Sequence, residues 1–366
     1  AVATGNELVA VGRMNQSEIS GGPVQGSVFD FAPIINQFLE AHLFGDIFER
    51  DNLDCQSREL ATVGALAAMP DIVIVSIIAQ PDRPQGRHAK TVISPVAAAA
   101  RALGLPLLQP EKVKTVAFEK SIRDLSPDVA VVAAYGRLIP DAVLQIPRRG
   151  TINIHPSLLP RWRGPSPIQS AIASGDVETG VSIMLLDAEM DHGPLLAQTH
   201  VPLTGTERYA DLETRLSNVG ALLLTETLPG YVAGTITPLP QDHKKATFCA
   251  LLTRDSGHID WTRSAAEIER MERAFDPWPG IWTEWTDGAT TSRVKLFDAT
   301  CGSMLPLAKG ELHIPPQAGE GVSQRLVVGT GKGAVSFGAL QLEGKKRMTL
   351  TELLRGMPTF LSGSFD

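Results

Sequence analysis

Residues 127–155 read PDVAVVAAYGRLIPDAVLQIPRRGTINIH, and the division of this stretch into strands and connections decides the fold. Pro127–Ala134 becomes a continuous run of β-branched and small apolar residues, the pattern of a strand covered on both faces. Thr151–His155 is a second short strand, stopped by Pro156, which has no N–H for a ladder. The same alternation continues outward on both sides. Upstream, Asp71–Ile78 (DIVIVSII) predicts a buried strand, and the polar loop 79–90 (AQPDRPQGRHAK) is broken by Pro81, Pro84 and Gly86. An alanine-rich helix over 95–103, a short strand over 105–108 and a helix over 111–125 follow. Downstream, Gly180–Leu186 predicts a further strand. Strands separated by helices imply parallel pairing in an α/β sheet, and such sheets bind ligands beyond the carboxyl ends of their strands.

Past residue 205 the pattern changes. Residues 205–234 predict a long helix, and Ser264-Ala-Ala-Glu267 has the spacing of a capping box, with Ile268, Met271 and Phe275 on one face behind it. Asp276-Pro-Trp-Pro-Gly280 ends that helix and reads as a packed linker corner. Short alternating segments with glycine turns (294–297, 325–328, 334–337) then predict a small β-barrel. Gly329-Thr-Gly-Lys-Gly333 has the look of a phosphate loop, but no Ser or Thr follows the Lys, so it reads as a hairpin turn.

A chain of 366 residues, 43% hydrophobic and 20% charged, has room for two or three domains with real cores. No apolar run reaches the roughly 20 residues of a membrane helix, and AVATGNELVAVGRMNQ lacks the basic-then-apolar signature of a signal peptide, so a cytoplasmic protein is expected. Cys55, Cys249 and Cys301 show no C-x-x-C spacing and read as reduced thiols. The net charge of −7 speaks against a nucleic-acid partner, but −6 of it lies in residues 1–70 (nine acids, three bases), leaving −1 for the rest. Against that near-neutral background stand Arg83, Arg87, His88 and Lys90; Arg161 and Arg163; and Lys345, Lys346 and Arg347.

Asn153 and His155, one residue apart on a strand, share a face. An amide can donate to a developing oxyanion, and an imidazole can exchange a proton near neutrality. The loop Asp187-Ala-Glu-Met-Asp-His-Gly193 follows the next strand and brings three acids to the same edge, where a carboxylate would fix and support the imidazole. A metal held by His155, Asp191 and His192 is the alternative, although the spacing matches no ligand motif.

Residues 151–198 (TINIHPSLLPRWRGPSPIQSAIASGDVETGVSIMLLDAEMDHGPLLAQ) resemble the core motif of the methionyl-tRNA formyltransferases. Residues 131–150, 79–90 and 259–280 match the same family in order, so the resemblance runs from about residue 71 to the carboxyl end. It implies a Rossmann-like parallel-sheet catalytic domain (71–204), a helical linking region (205–284) and an OB-like β-barrel domain (285–366). It also implies transfer of a formyl group from 10-formyltetrahydrofolate to the α-amine of initiator methionyl-tRNA, with no metal. By that resemblance Asn153, His155 and Asp191 are catalytic, and Tyr135, Gly136, Ser157, Leu158, Leu159, Pro160 and Asp187 surround the folate. Arg83, Arg87, Lys90, Arg161, Arg163, Lys345 and Lys346 would face tRNA, and a monomer is expected.

The amino end departs from the family, which opens with a buried strand and a Gly-Thr-Pro loop that this sequence lacks. Residues 21–69, notably PIINQFLEAHLFGDIFERDNLDCQSRELATVGALAAM, resemble instead a fragment of the helical carboxymuconolactone decarboxylase-like proteins. Residues 1–70 are therefore expected to form an atypical, mainly helical segment, with Leu8–Val11 as a candidate replacement strand. A formyltransferase-like scaffold without turnover, or a fusion that binds tRNA or folate, remains the second reading.

Overall fold

The structure, a computed structural model, describes residues 57–85, 90–288, 290–303, 305–315 and 324–366. Expectations for Leu8–Val11, for Cys55, for Arg87 and for helix before Ser57 lie outside the described residues. The chain divides into two compact units, one of residues up to Gly164 with Glu178–Pro202 and Ala210–Phe248, the other of Pro165–Val177, Leu203–Tyr209 and Cys249–Asp366.

In chain order the elements are α1 (Ser57–Ala68), β1 (Ile77–Ile78), β2 (Arg83–Gln85), β3 (Lys90–Val92), α2 (Pro95–Ala102), β4 (Leu107–Leu108) and α3 (Val116–Leu125). Then come β5 (Ala130–Val132), α4 (Asp141–Leu144), β6 (Thr151–His155), α5 (Pro167–Ser174), β7 (Glu178–Leu185), β8 (Leu195–Pro202), α6 (Tyr209–Ala233) and α7 (Ala265–Phe275). In the first unit β1 pairs in parallel with β4, and β5-β6-β7-β8 form a second sheet. β5 runs parallel to β6, so the expected α/β architecture is present.

Three expectations are corrected. The strand over 71–78 is reduced to Ile77 and Ile78, and Val73 is 85% exposed. Its only ladder among the described residues is with β4, through Ile77 and Ile78, so the residues before them have no strand partner there. The segment Gly180–Leu186 pairs antiparallel with β6, through Ile154↔Ile183 and His155↔Ser182. The direction of a strand follows from where the intervening chain re-enters, which hydropathy does not encode. The loop 79–90 is not wholly irregular, because β2 and β3 form an antiparallel hairpin in which Pro84 faces Thr91. A two-stranded ribbon has free edges, where a missing N–H is tolerated.

The period of two in β6 sends Ile152 and Ile154 to one face and Asn153 and His155 to the other. Helix α6 covers the Ile side closely because Gly220 has no side chain: a Cβ there would lie 2.9 Å from Cγ2 of Ile154. Helix α1 packs Val63 into a cluster with Ile77, Ala79, Val96, Ala97 and Ala100, while its Ala61 and Ala65 meet Ala221 of α6.

In the second unit α7 begins with the expected capping box, Ser264 accepting from the Glu267 N–H while Glu267 accepts from that of Ser264. The remaining elements are β9 (Ile281–Thr286), β10 (Thr291–Phe297), β11 (Thr300–Ser303), β12 (Leu312–His313), β13 (Leu326–Gly329), β14 (Ala334–Phe337), β15 (Ala339–Leu342), β16 (Met348–Thr349), α8 (Leu350–Gly356) and β17 (Ser364–Phe365). Two antiparallel sheets, β16-β15-β10-β9-β17 and β11-β14-β13-β12, enclose one core that includes Trp285, Val294, Leu296, Val335, Phe337 and Phe360. This is the small β-rich domain expected at the carboxyl end. Residues 329–333 join β13 to β14 as a hairpin turn. Trp278 is 52% exposed, so the Pro-Trp-Pro corner does not bury its indole as expected. No helix among the described residues is long and apolar enough to cross a membrane.

Candidate active site

β6 lies between β5 and β7 and ends at His155, which is buried. After Pro156 the chain folds back on itself. Ser157 Oγ donates to the Arg161 carbonyl (2.6 Å), while Ser182 Oγ donates to the Ser157 carbonyl (2.6 Å) and accepts from the Leu159 N–H (3.0 Å). Gln198 Nε2 braces the same turn through the Leu159 carbonyl (2.8 Å). The turn brings the Trp162 carbonyl within 2.9 Å of His155 Nε2. A carbonyl only accepts, so Nε2 carries the hydrogen and Nδ1 of the neutral ring keeps its lone pair. Nδ1 faces Asp191 Oδ1 at 3.6 Å.

Burial pushes the His155 pKa below its ordinary range, and the nearby positive charge of Arg58 adds to this. The Asp191 carboxylate and the Trp162 carbonyl act in the opposite sense. The imidazole is therefore neutral at rest, with a carboxylate ready to support a proton taken up at Nδ1. Arg58 stands at the start of α1, 3.5 Å from Glu213 on α6.

Asp191 sits in the connection from β7 to β8, in the left-handed region at φ 49°. Its Oδ2 accepts the Gly164 N–H at 2.8 Å. Gly193 closes the connection, and only glycine fits there, since a Cβ would lie 2.0 Å from the Leu185 carbonyl oxygen. Asp187 accepts from His192 Nδ1 (2.8 Å), and the His192 ring stacks on His243 at 4.1 Å. The metal alternative is thereby overturned as a geometry: His192 is turned to Asp187 and the His155 Nε2–H to a carbonyl.

Tyr135 is partly buried, its hydroxyl has no partner among the described residues, and its carbonyl accepts from Gln80 Nε2 at 2.7 Å. Gly136 follows at φ 69°. Ser157 and Leu159 are buried and hold the turn from behind, while Leu158 and Pro160 are half-buried. Arg161 is exposed, its guanidinium 4.5 Å from the centre of the Trp162 ring. Arg163 is a correction: it is 4% exposed and donates to Gln241 Oε1 and His243 Nδ1, so it presents no cation to a surface. Arg83 and Lys90 belong to the β2–β3 hairpin, and Lys345 and Lys346 are exposed after β15 in the second unit.

Two family models match in succession, the formyl transferase domain over residues 61–228 and the formyl transferase carboxyl-terminal domain over 251–358. A methionyl-tRNA formyltransferase of Roseiflexus sp. (strain RS-1) is 45% identical over 81% of this chain and 89% of its own length. The chain belongs to the methionyl-tRNA formyltransferase family. Another member, from Chloroflexus aurantiacus (strain J-10-fl), is 50% identical over 58% of this chain and 68% of its own. Among solved structures, the N-formyltransferase of Helicobacter canadensis, in complex with folinic acid and dTDP-3-aminofucose, shares the fold at a TM-score of 0.53 and 13% identity, over 79% of this chain and 96% of that one. The first family match begins at residue 61, inside α1, so the helix that carries Arg58 reaches into the formyltransferase domain.

Sequence reasoning passed over Gln241, His243, Ser182, Gln198 and Arg58. Each lies far in sequence from the residue it touches, and nothing local marks that partner, although Ser182 does stand out as a polar residue within the apolar run 180–186.

Proposed function

We propose that this formyltransferase moves the formyl group of 10-formyltetrahydrofolate to the α-amine of methionine on initiator methionyl-tRNA. The observation that supports it most directly is the buried His155, fixed through Nε2 and facing a carboxylate through Nδ1. The amine nitrogen attacks the formyl carbon, the Asn153 amide donates to the oxyanion of the tetrahedral intermediate, and the cation that His155 becomes on taking a proton at Nδ1 adds to its stabilisation. His155, supported by Asp191, takes the proton the amine must lose and returns it as the bond from carbon to N10 breaks. Tyr135, Gly136, Asp187 and the turn Ser157–Pro160 surround the folate, and the unpartnered Tyr135 hydroxyl fits a polar heterocycle. Arg83, Arg87, Lys90, Arg161, Lys345 and Lys346 meet tRNA phosphates. Residues 71–204 act as the catalytic domain, joined by α1, with 205–284 as the linking region and 285–366 as the barrel domain. The protein works as a cytoplasmic monomer.

The test is transfer of labelled formyl from 10-formyltetrahydrofolate to charged initiator tRNA by the purified chain. His155→Ala should lower kcat by about 100-fold or more while KM for tRNA changes little. A variant with the parent's rate would sink this assignment.

A further inference from the structure

We propose that Gln241 is a positioning residue for formyl transfer, holding Asp191 at its place opposite His155, with Arg163 setting the direction of the Gln241 amide. The inference rests on the roles given above to His155 and Asp191.

Gln241 is 4% exposed, and each of its polar atoms is used. Oε1 accepts from Nε (3.2 Å) and Nη2 (2.7 Å) of Arg163. Nε2 donates to the Asp191 carbonyl (2.9 Å) and to the Gly193 carbonyl (2.7 Å). An arginine can only donate, so Oε1 must face it, and the amide nitrogen is left for the two loop carbonyls. Arg163 is itself fixed: its N–H donates to the Thr247 carbonyl (2.8 Å), and its Nη2 donates to His243 Nδ1 (2.8 Å). His243 stacks on His192, which meets Asp187 at the other end of the same loop.

The consequence is local. Asp191 holds a left-handed backbone conformation that a non-glycine residue seldom adopts. Rotating its peptide to a commoner conformation would swing the carboxylate away from His155 Nδ1, and the hydrogen bond from Gln241 to its carbonyl opposes that rotation. The Gly164 N–H holds one carboxylate oxygen, but nothing in that contact fixes the backbone from which the carboxylate projects. Gln241 thus acts on the transition state through Asp191, without touching the formyl group.

Two variants separate positioning from general damage. Gln241→Ala removes both donations. Gln241→Glu keeps the acceptors for Arg163, but sets an oxygen against the Asp191 and Gly193 carbonyls in place of the donor and adds a negative charge beside them. Both should lower kcat on the order of 10- to 100-fold, the scale of a misplacement of about 1 Å, with KM for folate and tRNA within about twofold. In Gln241→Ala, which leaves the charge unchanged, the acid limb of the kcat profile should move to lower pH, because the carboxylate that raises His155 basicity is no longer held against it. Arg163→Lys, which keeps the charge but not the two-point grip, should give a smaller loss. A Gln241→Glu enzyme with the parent's kcat would overturn the proposal. So would a Gln241→Ala enzyme whose activity falls only with its folded fraction and whose acid limb stays in place. Asp191→Asn, measured in parallel, separates the two ideas. If it is impaired while Gln241→Ala is not, the positioning role alone fails; if it keeps the parent's rate, the catalytic reading fails and the positioning role with it.

Discussion

Thr151–His155 and Asp71–Ile78 are both rich in β-branched apolar residues, yet they end in different environments. The first is bonded to β5 on one side and β7 on the other, with Ile152 and Ile154 buried and Ile154 packed against α6 at Gly220. The second pairs through its last two residues to β4 alone among the described residues, and Val73 and Val75 face solvent. Composition alone does not make a central strand. What makes one is a partner along each edge and packing on each face, and residues 71–76 have no ladder partner among the described residues.

The contrast is most sharply at risk in β7. Ile183 is fully buried in the four-stranded sheet, so Ile183→Ala should cost about 2–5 kcal/mol in urea unfolding. A loss well below that range would mean that this sheet is no better supported than the amino-terminal strands.

A smaller effect is expected at α1, which covers the less supported end. Burial raises the Glu59 pKa to about 8, with Arg58 opposing and Glu213 adding to the rise. The folded state therefore holds the proton more tightly than the unfolded chain, whose carboxyl titrates near 4.3. The stability Glu59 contributes is complete below that value and is lost as pH rises toward about 8. Glu59→Gln, neutral throughout, should flatten that decline and gain on the order of 1 kcal/mol at the alkaline end. A parent-like slope in thermal melts from pH 5 to 8 would show that α1 is not packed as described.

The smallest effect is expected at Val73, where Val73→Ala should stay within about 0.5 kcal/mol. A loss comparable to that of Ile183→Ala would erase the difference between the two strands.

Much of the candidate site was legible because it is local. Asn153 and His155 fall on one face through the period of a strand, and Pro156 marks where the strand must stop. Asp191 was legible only through the loop that carries it, and its left-handed backbone was not, since nothing in Glu-Met-Asp-His announces it. Gln241 was not legible at all: its partners are Arg163, Asp191 and Gly193, contacts closed by the return of the chain after α6. Arg163 was misread for a related reason. Arg161-Trp-Arg163 looks uniformly basic, but successive residues of a turn point different ways, and one arginine lies outside while the other is enclosed.

By itself the sequence determined the things that depend on a few consecutive residues. These were the α/β class, the capping box that starts α7, the turn between β13 and β14, and the Asn-x-His pair at the end of β6. The tertiary structure alone decided the antiparallel entry of β7, the hairpin in the loop after β1, the burial of Arg163 and the Gln241 contacts to Asp191 and Gly193. The division has one physical cause. Propensity, capping and strand period act over one to four residues, whereas strand direction, burial and the partner of a buried polar group depend on which distant segment occupies the neighbouring space.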